Sequence, residues 1–139
     1  MPLLKPRSAK KPCTSPPPAP YESQEQRHVI EWAAWHEGIY PVLKRLYSCP
    51  NGGYRSKKTA AMMKLEGAKA GVPDLCLPAK SKGFSGLYIE MKRIKGGQLS
   101  DEQRDWLSYL NAAGYKAIVC KGADEAIAAI LDYLQKEAM

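Results

Sequence analysis

The chain has 139 residues, of which 45% are hydrophobic, so it can form one compact domain with a true core. Its 21 Lys and Arg exceed its 14 Asp and Glu, and the net charge of +7 favours a polyanionic partner, nucleic acid before an anionic membrane surface. The sequence contains neither an apolar run near the ~18 residues that span a bilayer nor an apolar signal segment. We therefore expect a cytoplasmic protein with reduced thiols and no membrane partner.

The positive charge is concentrated in the middle of the chain. Residues 42–95 hold 12 basic and 3 acidic side chains, a local net charge of +9. Residues 96–139 hold 4 basic and 7 acidic side chains, a net charge of −3. Glu66, Asp74 and Glu90 are thus the only acids in a strongly basic segment, and two of them, Asp74 and Glu90, are candidates for a functional role.

The first 20 residues differ in composition from the rest. They hold 7 of the 11 prolines and four basic residues, with no acid. This composition predicts a disordered tail, and the alternative is a basic arm that contacts phosphates. Residues 21–139 are expected to form the folded domain.

Hydrophobic periodicity and turn residues predict eight elements in this domain. In chain order they are a helix over 21–36, a strand over 42–47, a helix over 57–70, strands over 74–77 and 87–92, a helix from 100 to just before 114, a strand over 115–120 and a helix over 124–136. Ser100 opens its helix with an S-x-x-Q capping box, and Gly114 lies just past the end. The order α-β-α-β-β-α-β-α predicts a mixed α/β domain with helices packed on a central sheet.

The most suggestive residues for chemistry are Pro73-Asp74 and, sixteen residues after Asp74, Glu90-Met91-Lys92. Because side chains alternate along a strand, Glu90 and Lys92 project to one face and Met91 to the other. If the two strands pair as a hairpin, Asp74 lies near Glu90. Two carboxylates and one ammonium group then meet at one edge of the sheet.

This arrangement suits a hard divalent cation. Mg²⁺ needs only one or two protein carboxylates, and the backbone carbonyl of Met91 could supply a third oxygen. A cation there would acidify a water for in-line attack on phosphorus, and Lys92 would orient that water or offset charge on the phosphate. We therefore predict catalytic roles for Asp74, Glu90 and Lys92 with Mg²⁺ or Mn²⁺. The alternative is a chance match, with Glu90 and Lys92 on a solvated strand face.

Five motifs in the same order resemble the VRR-NUC domain, the virus-type replication-repair nuclease branch of the PD-(D/E)xK superfamily. The resemblance extends from about Glu22 to Leu134. The matching motifs are Glu22-Ser23-Gln24-Glu25-Gln26, Asn51-Gly52 with Arg55, Lys69-Ala70-Gly71-Val72-Pro73-Asp74, Ile89-Glu90-Met91-Lys92, and Leu99-Ser100 through Gln103 to Trp106. The resemblance implies a single nuclease-like α/β domain of the stand-alone, phage type.

The resemblance also implies individual roles. Asp74 and Glu90 would bind the metal, and Lys92 would be the catalytic lysine. Glu22 would be the acid that the first helix contributes to the site and a possible metal ligand. Glu25 is the alternative, and either acid could instead be a first-turn residue favoured by the helix dipole.

Gln103 would be the glutamine that the family places on the helix after the catalytic strand, and its competing role is the capping box with Ser100. The predicted DNA-contacting residues are Gln26, Asn51, Arg55, Lys57, Lys58, Lys69, Arg93 and Lys95. Asn51 and Arg55 have an equally good interpretation as a turn residue before glycine and a surface arginine.

Stand-alone relatives of this size resemble homodimeric nucleases that cut branched DNA such as four-way junctions. A two-fold dimer suits a junction because it presents two active sites to two symmetry-related strands. We therefore expect a homodimeric, metal-dependent endodeoxyribonuclease that leaves a 5′-phosphate and acts on junctions, in the host cytoplasm if phage-encoded. The alternatives are a general or site-specific duplex nuclease, a DNA-binding module without catalysis, and RNA as the substrate.

Overall fold

The computed structural model describes residues 21–50 and 56–135. Its elements are α1 (Glu22–His36), a 3₁₀ helix (Pro41–Arg45), β1 (Tyr47–Ser48), α2 (Lys57–Leu65), β2 (Leu75–Leu77), β3 (Leu87–Lys92), α3 (Asp101–Ala112), β4 (Lys116–Lys121) and α4 (Ala123–Leu134). This sequence of helices and strands confirms the predicted order, with the 3₁₀ helix added. The predicted tail over 1–20 and the predicted DNA-contacting residues Asn51 and Arg55 lie outside the described residues.

The predicted strand over 42–47 is wrong except at its last residue. Residues Pro41–Arg45 form a 3₁₀ helix, and β1 covers only Tyr47–Ser48. Pro41 favours this turn because its ring fixes φ near the helical value and it has no N–H to leave unpaired in a first turn. Leu43, at the centre of the turn, is buried in the core. A short apolar run of this kind is compatible with either a helical or an extended backbone until its packing is known.

The second helix ends five residues earlier than the predicted residue 70. Gly67 has a φ of 102°, and its N–H donates to the Lys64 carbonyl. The Ala68 N–H donates to the Met63 carbonyl at 2.9 Å. This pair of bonds is a Schellman motif, which closes a helix through a residue in the left-handed region, and glycine adopts that region without steric cost.

The four strands form one mixed sheet in the order β1-β2-β3-β4. Strands β1 and β2 are antiparallel, as are β2 and β3, whereas β3 and β4 are parallel and α3 is the crossover between them. Helices α1 and α4 contact each other and the central strand β3, and α4 also contacts the edge strand β4. The core side chains that are at most 1% exposed include Val29, Leu75, Leu77, Ile89, Met91, Ile130 and Tyr133. Within the described ranges, no helix is long and apolar enough to cross a bilayer.

Candidate active site

The pairing of β2 with β3 brings Asp74 beside Glu90, as the hairpin hypothesis predicts. Leu75 pairs with Ile89, so Asp74, just before β2, lies opposite Glu90. The Asp74 Oδ2 atom accepts a hydrogen bond from the Met91 backbone N–H at 2.7 Å. This bond holds the Asp74 carboxylate against the end of the central strand.

Lys92 completes the group of charged side chains on β3. Its Nζ atom lies 3.7 Å from Glu90 Oε1 and 3.9 Å from Glu22 Oε1. Glu90 is only 2% exposed and Lys92 only 7%. The interpretation of these two residues as a solvated strand face is therefore wrong, because charged groups this deeply buried need partners or a bound ion.

The structure separates the two acids of α1. Glu22 is half-buried and faces Lys92, whereas Glu25 is buried and its Oε2 atom accepts a hydrogen bond from the Ala123 N–H at 2.6 Å. Glu25 thus lies at the first turn of α4, away from the carboxylate pair. Glu22 is the acid that α1 brings to Lys92.

Gln103 makes both of the contacts that the sequence presented as alternatives. Its Oε1 atom accepts a hydrogen bond from the Ser100 N–H at 2.9 Å, and Ser100 Oγ accepts one from the Gln103 N–H at 3.2 Å. Its Nε2 atom donates to Glu90 Oε1 at 2.7 Å. An amide side chain can do this because its oxygen accepts while its nitrogen donates.

Burial and neighbouring charge perturb both carboxyl groups. Desolvation raises the pKa of Glu90 to about 8, and the charge of Asp74 acts in the same direction, while the charge of Lys92 opposes it. Desolvation also raises the pKa of Asp74, against the hydrogen bond from the Met91 amide, which lowers it. A carboxyl group with a pKa near 8 is mostly protonated at neutral pH, so binding a cation at the Glu90 oxygens requires release of that proton.

The residues present fit a hard divalent cation. Glu90 Oε2 is buried and has no hydrogen-bond donor among the described residues. The Lys92 carbonyl accepts a hydrogen bond from Gly122 on the β4 side, so strand alternation turns the Met91 carbonyl to the opposite side, where Asp74 lies. In the part of the chain that the structure describes, no three His, Cys, Asp or Glu side chains cluster as metal ligands. Two carboxylates and one carbonyl are nevertheless enough for Mg²⁺, which keeps several waters.

A cavity of about 300 Å³ opens onto these carboxylates, and Asp74, Glu90 and Gln103 line it. Gly71 also lines it, with a φ of 88°, and a Cβ there would lie 2.5 Å from the Glu102 carbonyl carbon. The sequence analysis names Gly71 as part of the motif before Asp74 but assigns it no role in the site. Its position in the Gly-Val-Pro-Asp motif, three residues before the catalytic candidate, was the signal that it shapes the site.

The predicted DNA-contacting residues within the described ranges lie mostly on the surface. Lys57 and Lys58 are exposed in the first turn of α2, Lys69 is exposed beyond its end, and Gln26 is half-buried on α1. Two further basic residues, Arg93 and Lys95, are exposed immediately after Lys92. Their contacts with DNA, and the catalytic and metal-binding roles of the central residues, stay predictions.

The fold is a mixed four-stranded sheet with helices packed on it, and its inner strands carry the carboxylate pair and the lysine. These features define a nuclease-like α/β domain. The family model of the VRR-NUC domain matches residues 19–124, and the chain belongs to this family. A solved structure described as a VRR_NUC domain protein superposes with a TM-score of 0.72 and 28% identity, covering 84% of this chain and 90% of its own. The comparison with curated proteins gave no match. Membership of the family implies a nuclease-type function on DNA, and nucleases of this kind generally use divalent metals.

Proposed function

We propose that the protein is a Mg²⁺- or Mn²⁺-dependent endodeoxyribonuclease that hydrolyses a phosphodiester bond and leaves a 5′-phosphate. The observation that carries this proposal is the pairing of the half-buried Asp74 with the buried Glu90, whose Oε2 atom has no hydrogen-bond donor among the described residues. A buried acid without a donor is costly unless it holds a proton or a cation. DNA is itself anionic and does not supply the positive charge that these acids need. The two acids therefore support a metal site within a basic surface that contacts DNA.

The residues around the two carboxylates have separate roles. The Met91 amide holds Asp74, and Gln103 holds Glu90, so both carboxylates are oriented before any ligand arrives. A divalent cation, when bound, acidifies a water and neutralises charge on the phosphate. Lys92, between Glu90 and Glu22, is placed to orient that water or to stabilise negative charge that develops on the phosphate.

The proposal extends to branched DNA, with four-way junctions foremost, and to a homodimer. A two-fold dimer would place two such sites on two symmetry-related strands. Two large apolar side chains near the end of α1, Trp35 at 86% exposed and Ile39 at 69%, support an interface there, because large apolar groups in water are unfavourable. The excess of basic residues supports contact with phosphate groups.

The test is a cleavage assay on a labelled four-way junction beside its linear duplex arms, with Mg²⁺ and Mn²⁺ supplied separately and EDTA as the metal-free control. The variants are Asp74→Ala and Lys92→Ala, with the exposed Asp124→Ala as the matched control. We expect symmetric junction cleavage that both site variants lose and the control retains. Equal cleavage of the linear arms would discard the structure preference, and intact DNA with both metals would overturn the nuclease proposal.

A further inference from the structure

A second cavity, of about 350 Å³, lies between α2 and the end of β1. Pro50, Met63, Ala68 and Val72 give it a largely apolar lining, and Glu66 and Lys69 add one charge of each sign. Its volume falls at the lower end of the roughly 300–1,000 Å³ range of cavities that bind small organic groups. The cavity is therefore large enough for a flat heterocycle with polar edges.

This cavity adjoins the candidate active site. Val72 lines both cavities. The Cys49 N–H, at the end of β1, donates a hydrogen bond to the Asp74 carbonyl at 2.8 Å. A group held in the second cavity would thus lie next to the carboxylates rather than on a remote surface.

The charge around the cavity complements a DNA backbone. Residues 56–69 carry four lysines and one acid, a net charge of +3. Lys69 lines the cavity itself, whereas Lys57 and Lys58 lie in the first turn of α2, at the end of the helix away from the cavity, and extend the cationic surface along α2. Within α2 no residue is fully buried, and Leu65 is 83% exposed. Helix α2 therefore presents its lysine side chains to solvent, and its C-terminal end adjoins the apolar lining of the cavity.

We propose that this cavity receives an unpaired nucleobase of the DNA substrate, adjacent to the phosphodiester that is cleaved. The apolar lining from Met63, Pro50 and Val72 suits the faces of a base, and thioether sulfur makes favourable contacts with aromatic rings. Glu66 accepts hydrogen bonds from an exocyclic amino group, and Lys69 donates to a ring nitrogen or carbonyl. This inference rests on the proposed nuclease function and supplies a reason for its preference for branched DNA.

The preference follows from the state of the bases before binding. A base in continuous duplex is paired and stacked, and its extrusion costs free energy. A base at a branch point, flap or gap has already lost part of that pairing and stacking, so it enters the cavity at a lower cost. An enzyme with such a subsite selects branched over linear DNA without reading sequence.

The experiment uses branched DNA with 2-aminopurine placed in turn at the nucleotides that flank the branch point, with Ca²⁺ in place of the catalytic metal. We expect fluorescence to rise on binding at one position, because the base leaves its stack and none of the described residues lining the cavity is aromatic. Ala68→Leu, which fills the cavity from an exposed position, should abolish the rise. Ala61→Leu, the same change on an exposed part of α2 outside the cavity, should leave it unchanged.

A parallel cleavage assay separates this inference from the proposed function. We expect Ala68→Leu to lower the ratio of branched to linear cleavage about tenfold and Ala61→Leu to leave the ratio unaltered. Flat fluorescence at every position with wild-type protein that cleaves DNA would overturn the cavity proposal alone, as would an unchanged ratio for Ala68→Leu. Absence of cleavage by wild-type protein would overturn the nuclease proposal, while a fluorescence rise that Ala68→Leu abolishes would still support the nucleobase site.

Discussion

The Glu25 carboxylate accepts a hydrogen bond from the Ala123 N–H at 2.6 Å, and this bond joins the first helix to the last across 98 positions of sequence. Helix α4 has Gly122 at its N-cap and therefore no capping side chain of its own. The Gly122 N–H donates to the Lys92 carbonyl at 2.9 Å. One buried acid thus ties together α1, the start of α4 and the strand end that carries Lys92, while Glu22, one turn before Glu25, reaches the Lys92 ammonium group.

We expect Glu25→Ala to lower the free energy of unfolding by about 1–3 kcal/mol, because the buried Ala123 N–H would lose its acceptor. The change should also lower the single-turnover rate of cleavage, because α1 would no longer be held in the position where Glu22 contacts Lys92. Glu25→Gln retains an acceptor oxygen and should recover part of both losses. Denaturant unfolding and single-turnover rates measure this, with the exposed Glu31→Ala on α1 as control. A cleavage rate for Glu25→Ala equal to that of wild type would show that Glu25 does not position Glu22.

Glu90 should make the metal-free protein less stable as pH rises. Its carboxyl group ionises near pH 4.5 when unperturbed, and the folded protein keeps the proton to about pH 8. Between these values the folded state binds more protons than the unfolded state, so the free energy of unfolding falls with increasing pH. In EDTA, the stability of wild type relative to Glu90→Gln should therefore decrease from pH 5 to pH 8. A constant difference across this range would contradict the raised pKa.

Metal affinity should increase with pH over the same range. A cation at Glu90 competes with the retained proton, so the apparent affinity for Mn²⁺ should rise by up to about tenfold per pH unit below pH 8. Calorimetry in two buffers of different ionisation enthalpy should detect proton release on binding near pH 7. Binding without proton release at that pH would show that Glu90 is already ionised.

Ser100→Ala and Gln103→Ala separate the two contacts of Gln103. Ser100→Ala removes the hydroxyl that caps α3 and should cost about 1 kcal/mol of stability with cleavage retained. Gln103→Ala also removes the donor that orients Glu90, and the loss of such a partner to a metal ligand should cost about 10–100-fold in activity or metal affinity. Equal activity of the two variants in metal titrations would assign Gln103 to the cap alone.

Gly71→Ala should lower the stability of the folded protein more than Gly67→Ala does. Both glycines have positive φ, at 88° and 102°, so both alanines carry the roughly 1–2 kcal/mol cost of a left-handed backbone. A Cβ at Gly67 meets nothing within 4 Å, whereas one at Gly71 would lie 2.5 Å from Glu102 backbone. Thermal unfolding should show a further loss only for Gly71→Ala. Matching results for the two variants would mean that the loop can move away from α3.

The sequence alone predicted the features that depend on neighbouring residues. Alternation along a strand placed Glu90 and Lys92 on one face, and hairpin pairing placed Asp74 opposite Glu90, as the structure confirms. The capping box at Ser100 also follows from residues three apart, and the structure contains it. Short-range stereochemistry is sufficient for such features because the atoms that decide them lie within one turn or one strand pair.

Tertiary packing decided the features for which local chemistry allows two outcomes. The run after Pro41 became a 3₁₀ helix rather than a strand when Leu43 packed into the core. Glu22 and Glu25 are residues of the same type in one helical turn. Only the position of α4 brings Glu25 to the Ala123 N–H and leaves Glu22 facing Lys92. The raised pKa of Glu90 likewise depends on burial by distant segments, because desolvation is set by everything that excludes water from a group and not by its neighbours in sequence.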